Sequence, residues 1–356
     1  MIHFTPGPSQ LSEQMNWFIH EAVDLEIPSV SHRSSYFSEF SKSAREWLRA
    51  FLQIPDNYKI FYTYSATECM EVIIRSTVLE HSHHFVNGAF SRRFYDTALD
   101  LGKKPTLETC EIGEWNYSLE VPEQTELIWV TCTETSTGVM LRKWFLKDLR
   151  FKYPDKLIAV DITSSWGGIS HNFLEADVWF FSLQKCFWLP SGMAILVMNE
   201  ISIEKSNRVF AQTHDIGSVH SLHHLLLRRQ DYQTSETPNV LGIYLLSRQM
   251  QYFNSLGGIS YIEQETLKKY EFMNQKIESL RQTYQFVKDE QFRAKTLWVI
   301  GMNPAKIDAT MAVLKGQWIL PGSWYWPLAF STIRIANFPA HKMQDLEKLF
   351  YYLEKI

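Results

Sequence analysis

Val178-Trp179-Phe180-Phe181-Ser182-Leu183-Gln184-Lys185 is the stretch from which the rest of the chain can be read. A short, almost unbroken apolar run of this kind is the pattern of a strand buried on both faces of a sheet. Here it runs into a lysine. An ammonium set among Trp, Phe and Leu is costly to desolvate, so it sheds its proton or finds a partner. A neutral amine in a cleft attacks aldehydes, which makes Lys185 a candidate Schiff-base lysine. The preceding apolar strand, Leu157-Ile158-Ala159-Val160, closes on Asp161, so a carboxylate ends one strand and a lysine follows the next.

Working outward, strands and helices alternate. Strands are expected near 59–64, 84–87, 127–132, 157–161, 178–182 and 193–198. Helices are expected near 12–24, 36–52, 68–79, 91–101 and 144–151. This alternation predicts an α/β fold, a mostly parallel sheet covered by helices on both faces. From about residue 241 the pattern changes to long helices at 241–254 and 260–281, broken by Leu256-Gly257-Gly258, a strong helix stop. Strands at 295–301 and 330–336 and helices at 306–314 and 341–353 then predict a smaller α+β lobe. The expected organisation is an N-terminal segment 1–14 packing with the small lobe, a large domain 15–256 and a small C-terminal domain 257–356.

The bulk numbers narrow the class. The 356 residues carry a net charge of −4, so no electrostatic footprint for nucleic acid or an anionic membrane is present. The four cysteines, Cys69, Cys110, Cys132 and Cys186, form no CxxC pair, and a reduced, cytoplasmic protein is expected. Met1-Ile2-His3-Phe4-Thr5-Pro6-Gly7-Pro8 lacks the charged-then-apolar pattern of a signal peptide. The apolar stretch 178–198 is interrupted by Gln184, Lys185, Pro190, Ser191 and Gly192, so it reads as two strands and a loop, not a membrane span.

Asp161 and Lys185 together are the pair that pyridoxal phosphate chemistry needs. A carboxylate facing a pyridine nitrogen keeps it protonated, and an amine close by forms the Schiff base. The turn Ser65-Ala66-Thr67 opens a helix, and amides at a helix N-terminus favour an anion such as a cofactor phosphate.

The full-length set of motifs resembles the class V aminotransferases of the fold-type-I pyridoxal phosphate enzymes, and among them the phosphoserine aminotransferases. The matching residues are Phe4-Thr5-Pro6-Gly7-Pro8-Ser9, Ser31-His32-Arg33-Ser34, Tyr64-Ser65-Ala66-Thr67-Glu68, Val86-Asn87-Gly88-Ala89-Phe90-Ser91, Glu134-Thr135-Ser136-Thr137-Gly138, Asp161-Ile162-Thr163-Ser164-Ser165, Ser182-Leu183-Gln184-Lys185, Glu236-Thr237-Pro238-Asn239 and Arg334-Ile335-Ala336-Asn337-Phe338. The resemblance implies a seven-stranded sheet and a pyridoxal 5'-phosphate enzyme that transfers an amino group between glutamate and 3-phosphohydroxypyruvate, a step of serine biosynthesis. It implies that Lys185 carries the Schiff base and shuttles a proton, and that Asp161 pairs the ring nitrogen. Phe90 would stack on the ring where the family usually has Trp, and Thr135 would bond the ring hydroxyl. Ala66, Thr67, Gln184 and Ser164 would hold the cofactor phosphate. Glu236 and Thr237 would reach that phosphate from the second subunit of a homodimer with shared sites. His32 and Arg33 resemble the pair that binds the substrate's phosphate. Arg334 lies on the strand face opposite Ile333 and Ile335, where a planar guanidinium suits an α-carboxylate.

One departure stands out. The phosphoserine aminotransferases commonly carry a second His-Arg pair shortly before the carboxylate arginine, and Gly322-Ser323-Trp324-Tyr325-Trp326-Pro327 contains no cation. A transaminase for a less anionic amino acid, of the serine–pyruvate or alanine–glyoxylate type, therefore remains open. So does a non-catalytic protein on the same fold. A cysteine desulfurase is disfavoured, since no cysteine follows Cys186. No metal site is expected: His81, His83 and His84, and His220 with His224 at helical i, i+4 spacing, lack an accompanying ligand motif and are read as structural or solvated. Arg228 is read as extending the helix of His220 and His224, and Arg92-Arg93 as surface charge.

Overall fold

A computed structural model describes every residue except 143, 214–218, 323–329 and 356. The apolar runs form its central sheet. Seven strands lie in the order Tyr58–Thr63, Ala194–Asn199, Val178–Ser182, Leu157–Asp161, Leu127–Thr131, His81–Val86 and Lys104–Thr109. Ala194–Asn199 runs antiparallel to both neighbours, and all the other pairs are parallel. The mostly parallel α/β reading therefore holds, with one reversed strand.

Both faces are covered, and strand alternation divides the side chains between them. Ile128, Val130, Trp179, Phe181 and Ile195 pack in one core layer with Phe51 and Phe253. Trp129, Phe180 and Leu196 pack in the other with Met70, Ile73 and Phe94. The second part of the chain carries its own antiparallel sheet, in the order Thr283–Gln285, Leu297–Met302, Thr332–Ala336, backed by the helices Gly258–Ser279 and Met343–Leu353. Ile2–Phe4 pairs in parallel with Ile319–Pro321, and Phe4 is buried in that smaller core.

Several elements differ from the sequence expectation. Lys104–Thr109 is a half-exposed edge strand and has no apolar run to announce it. Helix Glu200–Thr213 starts directly from the end of a strand, with no intervening turn residues. The stretch His81–Val86 is a strand from its first histidine, because His83 and His84 are sheltered and bonded to Thr106 and Ser82. His220 lies outside the short helix Leu222–Leu226, so it and His224 are not one helical face, and Arg228 follows in left-handed backbone. Among the described residues no helix is long and apolar enough to cross a membrane, and no cluster of three metal-ligating side chains occurs.

Trp129 is fully buried, its ring stacked 3.2 Å from Phe94 and tilted 4.9 Å from Phe180. Trp129→Ala should remove about 3–5 kcal/mol of stability, read as a lowered denaturant midpoint.

Candidate active site

Parallel pairing sets Asp161 opposite Phe180, and Lys185 follows three residues beyond the end of Val178–Ser182. The two groups thus meet at the carboxyl ends of adjacent strands, where open α/β sheets bind ligands. Lys185 is 6% exposed. Its Nζ donates to Ser164 Oγ at 2.8 Å and Thr135 Oγ1 at 3.1 Å, and these hydroxyls are bonded to each other. Burial pushes the Lys185 ammonium down to about 8, with the Asp161 carboxylate opposing that shift. Burial pushes Asp161 up to about 6, against the Thr163 hydrogen bonds and the Lys185 charge. Asp161 Oδ1 accepts the Thr163 N–H at 2.9 Å.

Both residues line a cavity of about 360 Å³, a size that suits a small cofactor with a substrate. Ser65, Ala66, Thr67 and Gln184 line it too, beside the N-terminus of helix Ala66–Thr77. The Ala66 N–H already donates to Ser182 Oγ at 3.2 Å, so an anion taking that amide would replace a hydroxyl. Phe90 lines the cavity with its ring centroid 5.2 Å from Lys185 Nζ.

The placement of Phe90 and Thr135 depends on Glu134, whose own role the sequence did not disclose. Glu134 is fully buried at the N-terminus of helix Ala89–Asp100. Its carboxylate accepts the backbone N–H groups of Phe90, Ser91 and Ser136 and the hydroxyls of Ser91 and Ser136. A carboxylate there is favoured by the helix dipole and by the unsatisfied first-turn amides. Its motif was visible in the sequence, but the partner helix was not.

Two segments from elsewhere complete the cavity. Arg334, 6% exposed, stands on strand Thr332–Ala336 and donates from an NH1 group to the Thr135 carbonyl at 3.2 Å. Thr5, Pro6 and Gly7 form part of the wall. A Cβ on Gly7 would lie 2.9 Å from Lys185 Cε, and its φ of +137° disfavours any other residue. No sequence signal beyond the opening Gly-Pro turn pointed to this contact.

The structure distributes the remaining expected residues unevenly. Ser164, expected at the cofactor phosphate, accepts a hydrogen bond from the Lys185 amine. Among the described residues lining the cavity, His32, Arg33, Glu236 and Thr237 do not appear. They gather in one separate cluster. Arg33 donates to the Gln233 side chain and the Thr234 and Ser235 carbonyls, His224 bonds Glu236, and the Tyr64 hydroxyl donates to the Thr237 carbonyl. Partial burial and the neighbouring Arg33 charge lower the His32 pKa. The cation-free stretch 322–327 falls, apart from Gly322, outside the described residues. Arg93, expected as surface charge, is exposed, and it also lines the cavity, since it sits one helical turn beyond Phe90 on the same face.

Similarity to known proteins agrees with this geometry. The family Aminotransferase class-V matches residues 5–320, and the chain belongs to that family. It is a transaminase, which sets aside the non-catalytic reading, and pyridoxal phosphate is the cofactor. The chain is 35% identical to a phosphoserine aminotransferase from Cytophaga hutchinsonii, with a TM-score of 0.95 over 99% of this chain and 98% of that one. It is 26% identical over 353 residues to the phosphoserine aminotransferase of Rhodococcus opacus (strain B4), covering 97% of this chain and 92% of that protein. An alanine–glyoxylate aminotransferase from Nostoc sp. shares the fold at 20% identity, with a TM-score of 0.85 over 99% and 94% of the two chains.

The residues present fit the cofactor. A buried carboxyl raised by desolvation gains a counter-charge from a protonated ring nitrogen, and a lysine lowered towards neutrality is ready to react with an aldehyde. The neutral fraction of Lys185 grows as pH rises through about 8, and the ionised fraction of Asp161 grows as pH rises through about 6. Capture of pyridoxal phosphate by cofactor-free protein should therefore accelerate with pH up to about 8 and level off above. Its affinity should fall below about pH 6. Stopped-flow absorbance at a series of pH values reads both; a rate that declines over that range contradicts the assignment.

Proposed function

We propose that the chain is a phosphoserine aminotransferase, exchanging an amino group between glutamate and 3-phosphohydroxypyruvate to give phosphoserine and 2-oxoglutarate. The observation that carries the reading is the convergence of Lys185 and Arg334 on one cavity from two different sheets. The names of the full-length relatives support the choice of substrate.

Arg334 takes the α-carboxylate of the amino acid, since a planar guanidinium matches two carboxylate oxygens. That fixes the Cα–H bond relative to Lys185. When bound, the cofactor carries the amino group and withdraws electrons from the breaking Cα–H bond, its ring nitrogen held protonated by Asp161. Lys185 would take the proton from the substrate Cα and hand it to the cofactor carbon that holds the amino group, and move it the opposite way in the second half-reaction. A pKa of about 8 lets it act in both directions near neutral pH. Phe90 offers one face of the ring slot, and Thr135 and Ser164 keep the Lys185 amine aimed into the cavity. Glutamate enters the first half-reaction, and the keto acid the second.

In this reading the protein works as a homodimer in the cytoplasm, with domains 1–14, 15–256 and 257–356 as set out above. The cluster that joins His32 and Arg33 to Glu236 and Thr237 is what a second copy would offer to this cavity. The cation-free Trp324-Tyr325-Trp326 segment favours a second reading, a transaminase for serine or alanine.

A panel of amino donors with 2-oxoglutarate decides between the two. Phosphoserine should exceed alanine and serine in kcat/KM by on the order of ten- to a hundredfold, the worth of a charged hydrogen bond. Preference for alanine or serine removes the proposal in favour of the second reading. Lys185→Ala should abolish turnover with every donor while leaving the fold intact by circular dichroism.

A further inference from the structure

A second cavity lies apart from the catalytic one. Its volume is about 430 Å³, against about 360 Å³ for the cavity of Lys185, and the two share no lining residue among those described. One wall is the loop 111–115, which follows the edge strand Lys104–Thr109. The other belongs to the segment 284–292 of the smaller lobe. The walls are held in place. Gly113 has a φ of +92°, and a Cβ there would lie 2.8 Å from the Phe286 ring, so loop and ring are in close contact. Arg293 braces the second wall: its guanidinium donates to the Val287 and Lys288 carbonyls, each at 2.9 Å, while its backbone bridges to Val139. A cavity of this size with braced walls is a preformed site for a small molecule.

The lining says which kind. Trp115, Phe286 and Phe292 give it aromatic surface, and the Trp115 and Phe292 rings lie 6.2 Å apart at 29°. Phe145 and Tyr117 meet the Trp115 ring edge-on, at 4.9 and 4.7 Å, and fix its plane. Trp115 is only 8% exposed, yet its indole N–H has no hydrogen-bond partner among the described residues. A sheltered indole N–H ordinarily finds an acceptor, so this donor is open to an occupant. The charged lining is Glu111, Glu114, Asp289 and Lys288, three carboxylates to one cation. Asp289 is spent on Gln291, whose backbone and side-chain N–H groups it accepts at 3.1 and 2.6 Å. Glu111 and Glu114 make no ion pair among the described residues.

We propose that this cavity binds an organic ammonium ion that carries a hydrogen-bond acceptor near its charge. Aromatic faces attract a cation through the ring quadrupole, and most strongly where water is partly excluded. Glu111 and Glu114 supply the opposite charge at the rim, and the Trp115 N–H takes the acceptor. An anion is disfavoured by the excess of carboxylates. A bare metal ion does not fit, since no three metal-ligating side chains converge among the described residues.

Acetylcholine and 3,3-dimethylbutyl acetate test this. They have the same shape, differ in charge at one atom, and neither reacts with an aldehyde. Each is titrated into the holoenzyme by calorimetry. Acetylcholine should saturate one site per chain, at least about tenfold more tightly than the neutral ester. Glu111→Gln combined with Glu114→Gln should weaken acetylcholine by about three- to tenfold, leave the neutral ester unchanged, and leave kcat and KM for amino transfer as in the wild type. Trp115→Phe keeps the packing and removes the N–H, so it should weaken both esters alike. Absence of saturable binding, equal affinity for the two esters, or an affinity indifferent to these substitutions overturns the inference. So does competitive inhibition of amino transfer by acetylcholine, which places the probe in the catalytic cavity.

Discussion

Desolvation of the Lys185 ammonium is the constraint around which the site is organised. A lysine taken out of water at the end of a buried strand is held in place only if its amine is bonded and its charge is partly relieved. Ser164 and Thr135 supply the bonds, and Asp161 supplies the opposing charge across the strand pair. Burial acts on the two ions in opposite senses, lowering the lysine towards 8 and raising the aspartate towards 6. Each is thereby moved towards its neutral form. Burial thus favours the neutral forms of both groups and suits them to the cofactor's chemistry. An amine that is costly to keep charged is one that reacts with an aldehyde, and a carboxylate that is costly to keep charged binds a pyridinium well.

The groups around Lys185 are not independent of one another. Glu134 joins the start of helix Ala89–Asp100 to the hairpin that carries Thr135, so Phe90 and the lysine's hydroxyl partner are set by one buried carboxylate. There is no room for a side chain at Gly88, where a Cβ would lie 2.3 Å from Glu134 Cγ. The same hairpin receives the smaller lobe: the Ala294 N–H donates to the Gly138 carbonyl at 2.9 Å, and Arg334 donates to the Thr135 carbonyl. Thr296 bonds the carbonyl of Ser164, the other hydroxyl partner of Lys185.

Sequence reading was strongest where burial dictates residue type. The runs Leu157–Asp161 and Val178–Ser182 admit few alternatives to buried strands, and their adjacency makes a pair of Asp161 and Lys185. It was weakest where position depends on the rest of the fold. Lys104–Thr109 has no apolar face to betray it, and Arg93 looks like any helical surface arginine until the helix N-terminus is known to face the cavity. His32 and Arg33 were legible as a motif. Their distance from this chain's own cavity was not, since nothing in a loop sequence says which surface it will meet.

The wall of the cavity is shared between the N-terminal segment, the large sheet and the smaller lobe. Arg334 exchanges two backbone hydrogen bonds with Gly322, at 2.7 and 2.9 Å, and a Cβ on Gly322 would lie 2.3 Å from Pro6. Strand Ile2–Phe4 is paired to Ile319–Pro321, while the Ser9 N–H reaches across to the Gln184 carbonyl at 3.1 Å. His341 donates from Nε2 to the His3 carbonyl at 2.9 Å, and buried Lys269 holds the carbonyls of Phe338 and His341. The N-terminal segment is therefore fastened to the smaller lobe at one end and to the catalytic loop at the other. Arg334, Gly322 and the Thr5–Gly7 wall are thus tied to one another by the Gly322 pairing and the close approach to Pro6, and to the large sheet's loops through Thr135 and Gln184.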